Sequence, residues 1–534
     1  MARMRRRIPI GIQDFVKLRE KSMAYVDKTA YVWEIAQSGV PMFLSRPRRF
    51  GKSLLVSTLK AYWEGRSELF EGLEIFALES AREGAWTPHP VFHLDLDGAD
   101  YSAAGALEVK LEETLCDWEE IWGDTYNKRS LSGRFAKLLE VAHNVSGRRA
   151  VVLVDEYDKP LLDTLSDSAL TDRNRGVLKG FYGVLKEADE HLESVFVCGV
   201  TRFSSVSIFS DMINLMEISL VGDYCSVCGV TEAEIRRYLS PEVERLARRR
   251  NESFDDALER LRDRYDGYCF HPGGPDAEDA ENVYNPFSLM CALQLAELGS
   301  WWYGTGTPTL LVRRMREAAV DARKLVEGGV HAEKAYLMNY RAENPDPVPL
   351  LFQAGYLTIR GYDDRYDEYS LGIPNLEVKD GLLSGLLSEY TGDASTLDGT
   401  RVGDLRRCLE EGDTDGVHDI LSALFASIPY ASGKVCQDPF EHYFQAILYV
   451  TFLLLGIYVS VETHVAHGRV DVTVECRHHV YVMELKRDGS ASEALAQIED
   501  RGYAQRYAGD PRRLHRVGCS FDSSTRLLAD WAVE

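Results

Sequence analysis

Side chains suited to phosphate chemistry occur at both ends of this 534-residue chain. Gly51-Lys52-Ser53 lies between an apolar run at 40–45 (VPMFLS) and a segment with apolar residues at helical spacing, GKSLLVSTLKAYW. Backbone N–H groups converging at a helix N-terminus, a lysine reaching β/γ oxygens and a hydroxyl on Mg²⁺ together make a phosphate cradle. The loop before it departs from the usual glycine-rich form. In G-x-x-x-x-G-K-[ST] the leading glycine would stand at position 46, which is Arg in Ser45-Arg-Pro-Arg-Arg-Phe-Gly51. Arg46 takes up glycine-only dihedrals at a cost, and Pro47 has no N–H to donate. Arg46, Arg48 and Arg49 are instead expected to supply charge-assisted bonds to phosphate. About 100 residues later the apolar run AVVLV ends in Asp155-Glu156. There Asp155 is expected to hold Mg²⁺ and Glu156 to polarise the attacking water. Thr201 and Arg202 end the next apolar run and occupy the place of a γ-phosphate sensor, although a plain strand-ending turn explains them equally well.

A second constellation lies near the C-terminus. Asp471 sits on one expected strand and Glu484-Leu485-Lys486 on the next. Strand side chains alternate, so Glu484 and Lys486 share one face while Leu485 points to the other. Two carboxylates for a divalent metal and a lysine near the attacking water are what phosphodiester hydrolysis at neutral pH requires. Glu441 on the preceding helix offers a third carboxylate, and Gln497 with Tyr503 on the following helix could orient substrate or ligands. Surface ion pairs would produce the same D-x(12)-E-x-K spacing in an acidic sequence, so context decides its weight.

The elements that must position these groups follow from apolar patterning. Runs at 40–45, 90–96, 150–154 and 195–200 read as strands, continuous where both faces are buried, with helical stretches between them. That is a parallel α/β sheet. After about residue 230 the texture changes to helices, opened by the capping box Thr231-Glu-Ala-Glu234 and continued by ESFDDALERLRDRY. Residues 271–281 (HPGGPDAEDAE) read as an exposed loop, and helices resume to about 342. LLFQAGYLTIR, the acidic turn GYDDRYDE and residues 369–371 give a helix end and a two-strand hairpin of winged-helix-like character. Residues 392–416 read as an acidic linker. The remainder alternates helix, three strands and helix. The expected domains are 1–230, 231–345, 346–430 and 431–534.

GIQDFVKLRE, YVDKT, SRPRRFGKS, VDEYDKP, GVTRFS, YNPFSL, GTGTPTLL, LLFQAGYLTI and GIPNLEV span nearly the whole chain. On these segments the sequence resembles AAA-ATPase-like proteins of bacteria and archaea that end in a PD-(D/E)XK nuclease-like domain. The resemblance implies that the missing leading glycine is a family habit. It implies a multidomain α/β fold comprising a P-loop NTPase sheet, a helical and winged-helix-like middle and a restriction-endonuclease-like C-terminal domain. It also implies ATP and Mg²⁺ as cofactors, with a nuclease site comprising Glu441, Asp471, Glu484, Lys486 and Gln497.

Composition bounds these readings. Hydrophobic residues are 45% and charged residues 27%, values of an ordinary globular chain and not of a collagenous or disordered one. The net charge of −23 repels phosphate backbones, so any nucleic-acid surface must be local. Residues 431–534 carry 11 Lys and Arg against 14 Asp and Glu, a local charge of only −3. The ten cysteines are scattered except for Cys225 and Cys228 and read as reduced thiols of a cytoplasmic protein. Residues 444–461 are uncharged, but Gly456 divides them into a buried helix and a strand, so no membrane span is expected. The reading is an ATP-binding switch joined to a Mg²⁺-dependent nuclease-like domain acting on DNA or RNA, with a homo-oligomer left open. Its rival is a nucleotide-dependent regulatory protein whose C-terminal domain binds a partner and cuts nothing.

Overall fold

A computed structural model describes residues 6–123, 130–202, 215–271, 281–303, 309–318, 322–338, 346–391, 399–426, 447–448, 450–451, 458–465 and 468–534 apart from 523 and 526. The chain divides into two units, Met1–Gly306 with Leu325–Val378, and Thr307–Lys324 with Lys379–Glu534.

In the first unit, β1 (Met42–Ser45), β2 (Val91–Asp95), β3 (Ala150–Asp155), β4 (Leu192–Gly199) and β5 (Met216–Glu217) form a sheet in the order β2-β3-β4-β1-β5. The pairings are parallel throughout. β1 and β3 are buried at every position, as their unbroken apolar runs require of strands covered on both faces. Because the pairing is parallel, the loops after β1, β3 and β4 emerge at one edge of the sheet. Ser45 pairs with Gly199, and the Arg46 N–H donates to the Gly199 carbonyl at 3.1 Å.

The helices Glu232–Tyr238, Ser240–Arg250, Phe254–Tyr265 and Pro286–Leu295 follow. The Thr231–Glu234 capping box is formed as expected, and Ser253 with Asp256 makes a second. Ile8, Ala24 and Val26 share one buried core with these helices. Position 230 therefore marks a change of sequence texture within one unit. The expected hairpin is β7 (Thr358–Asp363) with β8 (Glu368–Gly372), preceded by the helix Val348–Gln353. A third strand, β6 (Val330–Glu333), pairs with β8 in a stretch read from sequence as helical. Most of the loop expected at 271–281 lies outside the described residues.

The second unit holds β9 (Tyr458–Val465), β10 (Gly468–Glu475), β11 (His479–Arg487), β12 (Arg513–Phe521) and β13 (Leu528–Val533), ordered β13-β12-β11-β10-β9. β11 and β12 are parallel and the other pairs antiparallel. The helix Ala491–Asp500 joins β11 to β12, and its Ala494 and Ile498 are buried. Gly518 of β12 lies where this helix passes closest, since a Cβ there would stand 2.1 Å from the Ala491 carbonyl oxygen. The acidic stretch read as a linker is corrected: Gly399–Glu411 and Thr414–Ala426 are helices. Leu405 and Leu409 are buried, and the Tyr481 hydroxyl donates to the Leu409 carbonyl at 2.8 Å. High acidity on an exposed helical face had hidden a spaced apolar one. Among the described residues no helix is long and apolar enough to cross a membrane.

Candidate functional site

The phosphate loop runs from β1 into the helix Lys52–Trp63, whose N-cap is Gly51. Gly51 takes a left-handed backbone at φ 97°, and Arg49 does so at φ 65°. Lys52 is almost fully buried. Its Nζ donates to the carbonyls of Arg46 (3.1 Å) and Pro47 (3.2 Å) and lies 3.3 Å from a Glu156 carboxylate oxygen. Burial works against this ammonium, yet Glu156, Asp155 and Asp158 around it hold its pKa above the ordinary lysine value. Ser53 hydrogen-bonds Asp155, which also accepts from the Cys198 thiol at 3.1 Å. Burial raises the Asp155 pKa, against the bond from Ser53. The structure thus brings Lys52, Ser53, Asp155 and Glu156 together. Glu156 adopts φ 49°, a costly backbone for a non-glycine residue, with its N–H on Asp155 Oδ1 at 3.0 Å.

The loop arginines divide. Arg46 is corrected as a phosphate ligand: its guanidinium is buried and donates to the carbonyls of Ser45, Ser219 and Tyr224 at 2.8–2.9 Å. It also stacks 3.9 Å from the Phe270 ring centroid, and burial lowers its pKa to about 10. Arg48 and Arg49 are exposed, and neither has an ion-pair partner among the described residues; Arg49 lies 4.1 Å over Phe287. Arg46 therefore serves the fold, which leaves Arg48 and Arg49 as the exposed cations of the loop.

Thr201 and Arg202 follow β4 as expected, but both are engaged by protein groups. Thr201 is fully buried and donates its hydroxyl and its N–H to Asp158, each at 2.6 Å. Arg202 lies 3.2 Å from Glu217. Asp158 was not singled out from sequence, although it stands three residues past Asp155 in VDEYDKP. Its buried carboxylate also accepts the Val200 N–H, and burial beside Glu156 raises its pKa to about 6. A cavity of about 400 Å³ adjoins Gly51, Lys52 and Ser53 and extends between residues 9–13, Cys228 and Phe287. That volume suits a small ligand. The wall formed by residues 9–13 had no signal in the sequence beyond the quoted GIQDF segment.

In the second unit, Asp471 and Glu484 each lie one residue beyond the paired Val472 and Met483 of β10 and β11. Asp471 Oδ2 accepts the Leu485 N–H at 2.8 Å. Glu484 Oε1 accepts from Gln497 and lies 3.5 Å from Lys486 Nζ, which also donates to Gln497 Oε1. Gln497 Nε2 is 3.4 Å from the Tyr503 hydroxyl. Four of the five expected residues, Asp471, Glu484, Lys486 and Gln497, are therefore brought together, while Glu441 lies outside the described residues. Glu484 Oε2 is buried with no hydrogen-bond partner among the described residues. Burial and the neighbouring Asp471 raise the Glu484 pKa to about 7, against the Lys486 ammonium. An orphaned carboxylate oxygen beside a second carboxylate fits a divalent cation, since the cation offsets both desolvation and like-charge repulsion. Among the described residues no three His, Cys, Asp or Glu side chains converge on one metal position, and Asp471 and Glu484 are the two carboxylates described there.

Residues 9–209 match the family described as predicted AAA-ATPase, and residues 439–531 match the PD-(D/E)XK nuclease superfamily. The chain is 36% identical over 540 residues to an uncharacterized protein in the vnfD 5′ region of Azotobacter chroococcum mcd 1, with 99% of each chain covered. The chain belongs to this AAA-ATPase-like family. The two matched segments fall on the parallel sheet of the first unit and the mixed sheet of the second. The nine described cysteines are free thiols, including Cys225 and Cys228.

Proposed function

We propose that the first unit of this AAA-ATPase-like protein binds ATP as a switch and that the second cleaves nucleic-acid phosphodiesters with a divalent metal such as Mg²⁺. The observation carrying the nuclease half is the buried Glu484 Oε2 beside Asp471, without a hydrogen-bond partner among the described residues, while Lys486 and Gln497 meet the other oxygen, Oε1. Asp471 and Glu484 would hold the metal, which when bound supplies Lewis-acid activation of a water and charge neutralisation at the phosphate. Lys486 is 27% exposed at its side chain, so its ammonium can meet a phosphate oxygen or the incoming water. Gln497 fixes the Lys486 and Glu484 side chains relative to each other. The fold thereby sets a carboxylate and an ammonium two residues apart on one strand face.

The nucleotide half rests on Lys52, Ser53, Asp155 and Glu156 meeting at the helix N-terminus, with Arg49 lining a ligand-sized cavity and Arg48 exposed next to it in the loop. In this arrangement Lys52, Arg48 and Arg49 neutralise phosphate, Ser53 and Asp155 hold Mg²⁺, and Glu156 orients water for hydrolysis. Cleavage of single- and double-stranded DNA and RNA with Mg²⁺ or Mn²⁺, with and without ATP, tests the reading. Activity lost in Lys486→Ala and Glu484→Ala supports it. Cleavage that survives Glu484→Ala rejects the site, and cleavage indifferent to Lys52→Ala under all nucleotide conditions rejects the coupling.

A further inference from the structure

Three successive carbonyls of the phosphate loop accept side-chain donors. Lys52 takes those of Arg46 and Pro47, and the Trp302 indole N–H donates to the next, that of Arg48, at 3.0 Å. Trp302 is buried and its ring packs 5.3 Å from that of Tyr356. A peptide unit is planar and trans, so its C=O and N–H point in opposite directions. Fixing the Arg48 carbonyl on the indole therefore turns the Arg49 N–H away from Trp302. Arg49 lines the cavity beside Lys52 and holds a left-handed backbone at φ 65°. A non-glycine residue keeps that conformation where its surroundings over-determine it, and the indole bond is one such constraint.

Trp302 is itself held by a fully buried carboxylate, Glu377. Glu377 Oε1 accepts the backbone N–H groups of Trp301 and Trp302, the latter at 2.8 Å, and Oε2 accepts the Ser288 hydroxyl at 2.6 Å. Ser288 belongs to the helix Pro286–Leu295, whose Phe287 and Met290 line the same cavity. Glu377 is the second residue of the helix Leu376–Thr391. The chain passes out of the first unit after Val378, inside that helix, and also after Gly306, four residues past Trp302. The node that fixes Trp302 therefore sits in the first turn of a helix whose later turns belong to the second unit. Bonds to a carboxylate are about twice as strong as neutral ones, so a displacement of Trp302 is carried into that turn.

We propose that Trp302 is a positioning residue of the phosphate loop and that Glu377 passes the loop's response to nucleotide into the helix Leu376–Thr391. The proposal rests on the nucleotide reading of the phosphate site. A bound phosphate draws the Lys52 ammonium off the Arg46 and Pro47 carbonyls, which leaves the indole as the bond that keeps the Arg48–Arg49 peptide in place. The pull of the ligand on that peptide then reaches Trp302, and through Glu377 the helix by which the chain enters the second unit.

Two measurements on the full chain test this: equilibrium titration with fluorescent ADP and a fluorescent non-hydrolysable ATP analogue, and amide hydrogen exchange with and without saturating nucleotide. In the parent, saturation is expected to change exchange over residues 379–391 by about threefold or more. Trp302→Phe keeps a ring against Tyr356 and removes the donor, so affinity for both nucleotides is expected to fall about tenfold. At saturation the response over 379–391 disappears in this variant, whereas a merely structural role costs affinity and leaves the saturated response intact. Glu377→Gln keeps the shape and one acceptor oxygen without the charge, and is expected to halve the response with affinity within about threefold of the parent. Protection over Ala150–Asp155 equal to the parent's shows that either variant is folded. A full response in saturated Trp302→Phe, unaltered affinity in that variant, or a parent that binds nucleotide with no response over 379–391 overturns the proposal and leaves the nucleotide site standing. Failure of the parent chain to bind either nucleotide any better than Lys52→Ala overturns both.

Discussion

Glu484 gives the sharpest quantitative test, because its cost and its use have opposite signs. Its carboxyl pKa is raised from the ordinary 4.5 to about 7 by burial and by Asp471. Below pH 4.5 the folded and unfolded chains both hold the proton and nothing is lost. Between 4.5 and 7 the unfolded chain gives it up while the folded one keeps it, so stability falls as pH rises and levels off above pH 7. At about 1.4 kcal/mol per tenfold in proton affinity, the loss amounts to about 3 kcal/mol. Glu484→Gln cannot ionise and escapes it. Without divalent metal, the variant should match the parent near pH 4 and exceed it at pH 8. Amide hydrogen exchange over β11 reads this locally, as about a hundredfold greater protection in the variant at pH 8. Mg²⁺ or Mn²⁺ should then reverse the order, raising protection in the parent and leaving the variant unchanged. A variant no better protected than the parent at pH 8, or one that gains equally from metal, would refute the assignment of Glu484 as a buried metal-ligating carboxylate.

Lys52→Met should abolish binding of fluorescent ATP, at least a hundredfold in Kd, because one charge-assisted phosphate contact and the counter-charge of Glu156 go together; equilibrium titration checks it. Gly199→Ala should destabilise the first unit by about 1–3 kcal/mol, since the new Cβ would stand 2.4 Å from Asp158 Oδ1 and 2.6 Å from the Tyr157 ring. Chemical denaturation of the full chain monitors that loss. Tyr481→Phe should weaken the second unit by about 1 kcal/mol by leaving the Leu409 carbonyl without its donor, visible as faster amide exchange at the end of the Gly399–Glu411 helix.

Much was legible in the sequence wherever local pattern and chemistry coincide. Unbroken apolar runs ending in Asp155-Glu156 and Thr201-Arg202 identify parallel strands and the sheet edge that carries the site, because a strand buried on both faces has few other compositions. Period-two alternation put Glu484 and Lys486 on one face, and the capping box at Thr231 announced its helix. What tertiary structure alone decided is where long side chains go and who meets them. Arg46 looks like Arg48 and Arg49 in sequence, yet it turns inward to the carbonyls of Ser45, Ser219 and Tyr224 while its neighbours stay exposed. The sequence charge gives no direction, since the carbonyls of Ser219 and Tyr224 arrive from more than 170 residues away. Asp158, Glu217 and Glu377 were likewise silent, because a buried carboxylate acquires meaning only from the distant N–H groups and guanidinium that folding brings to it.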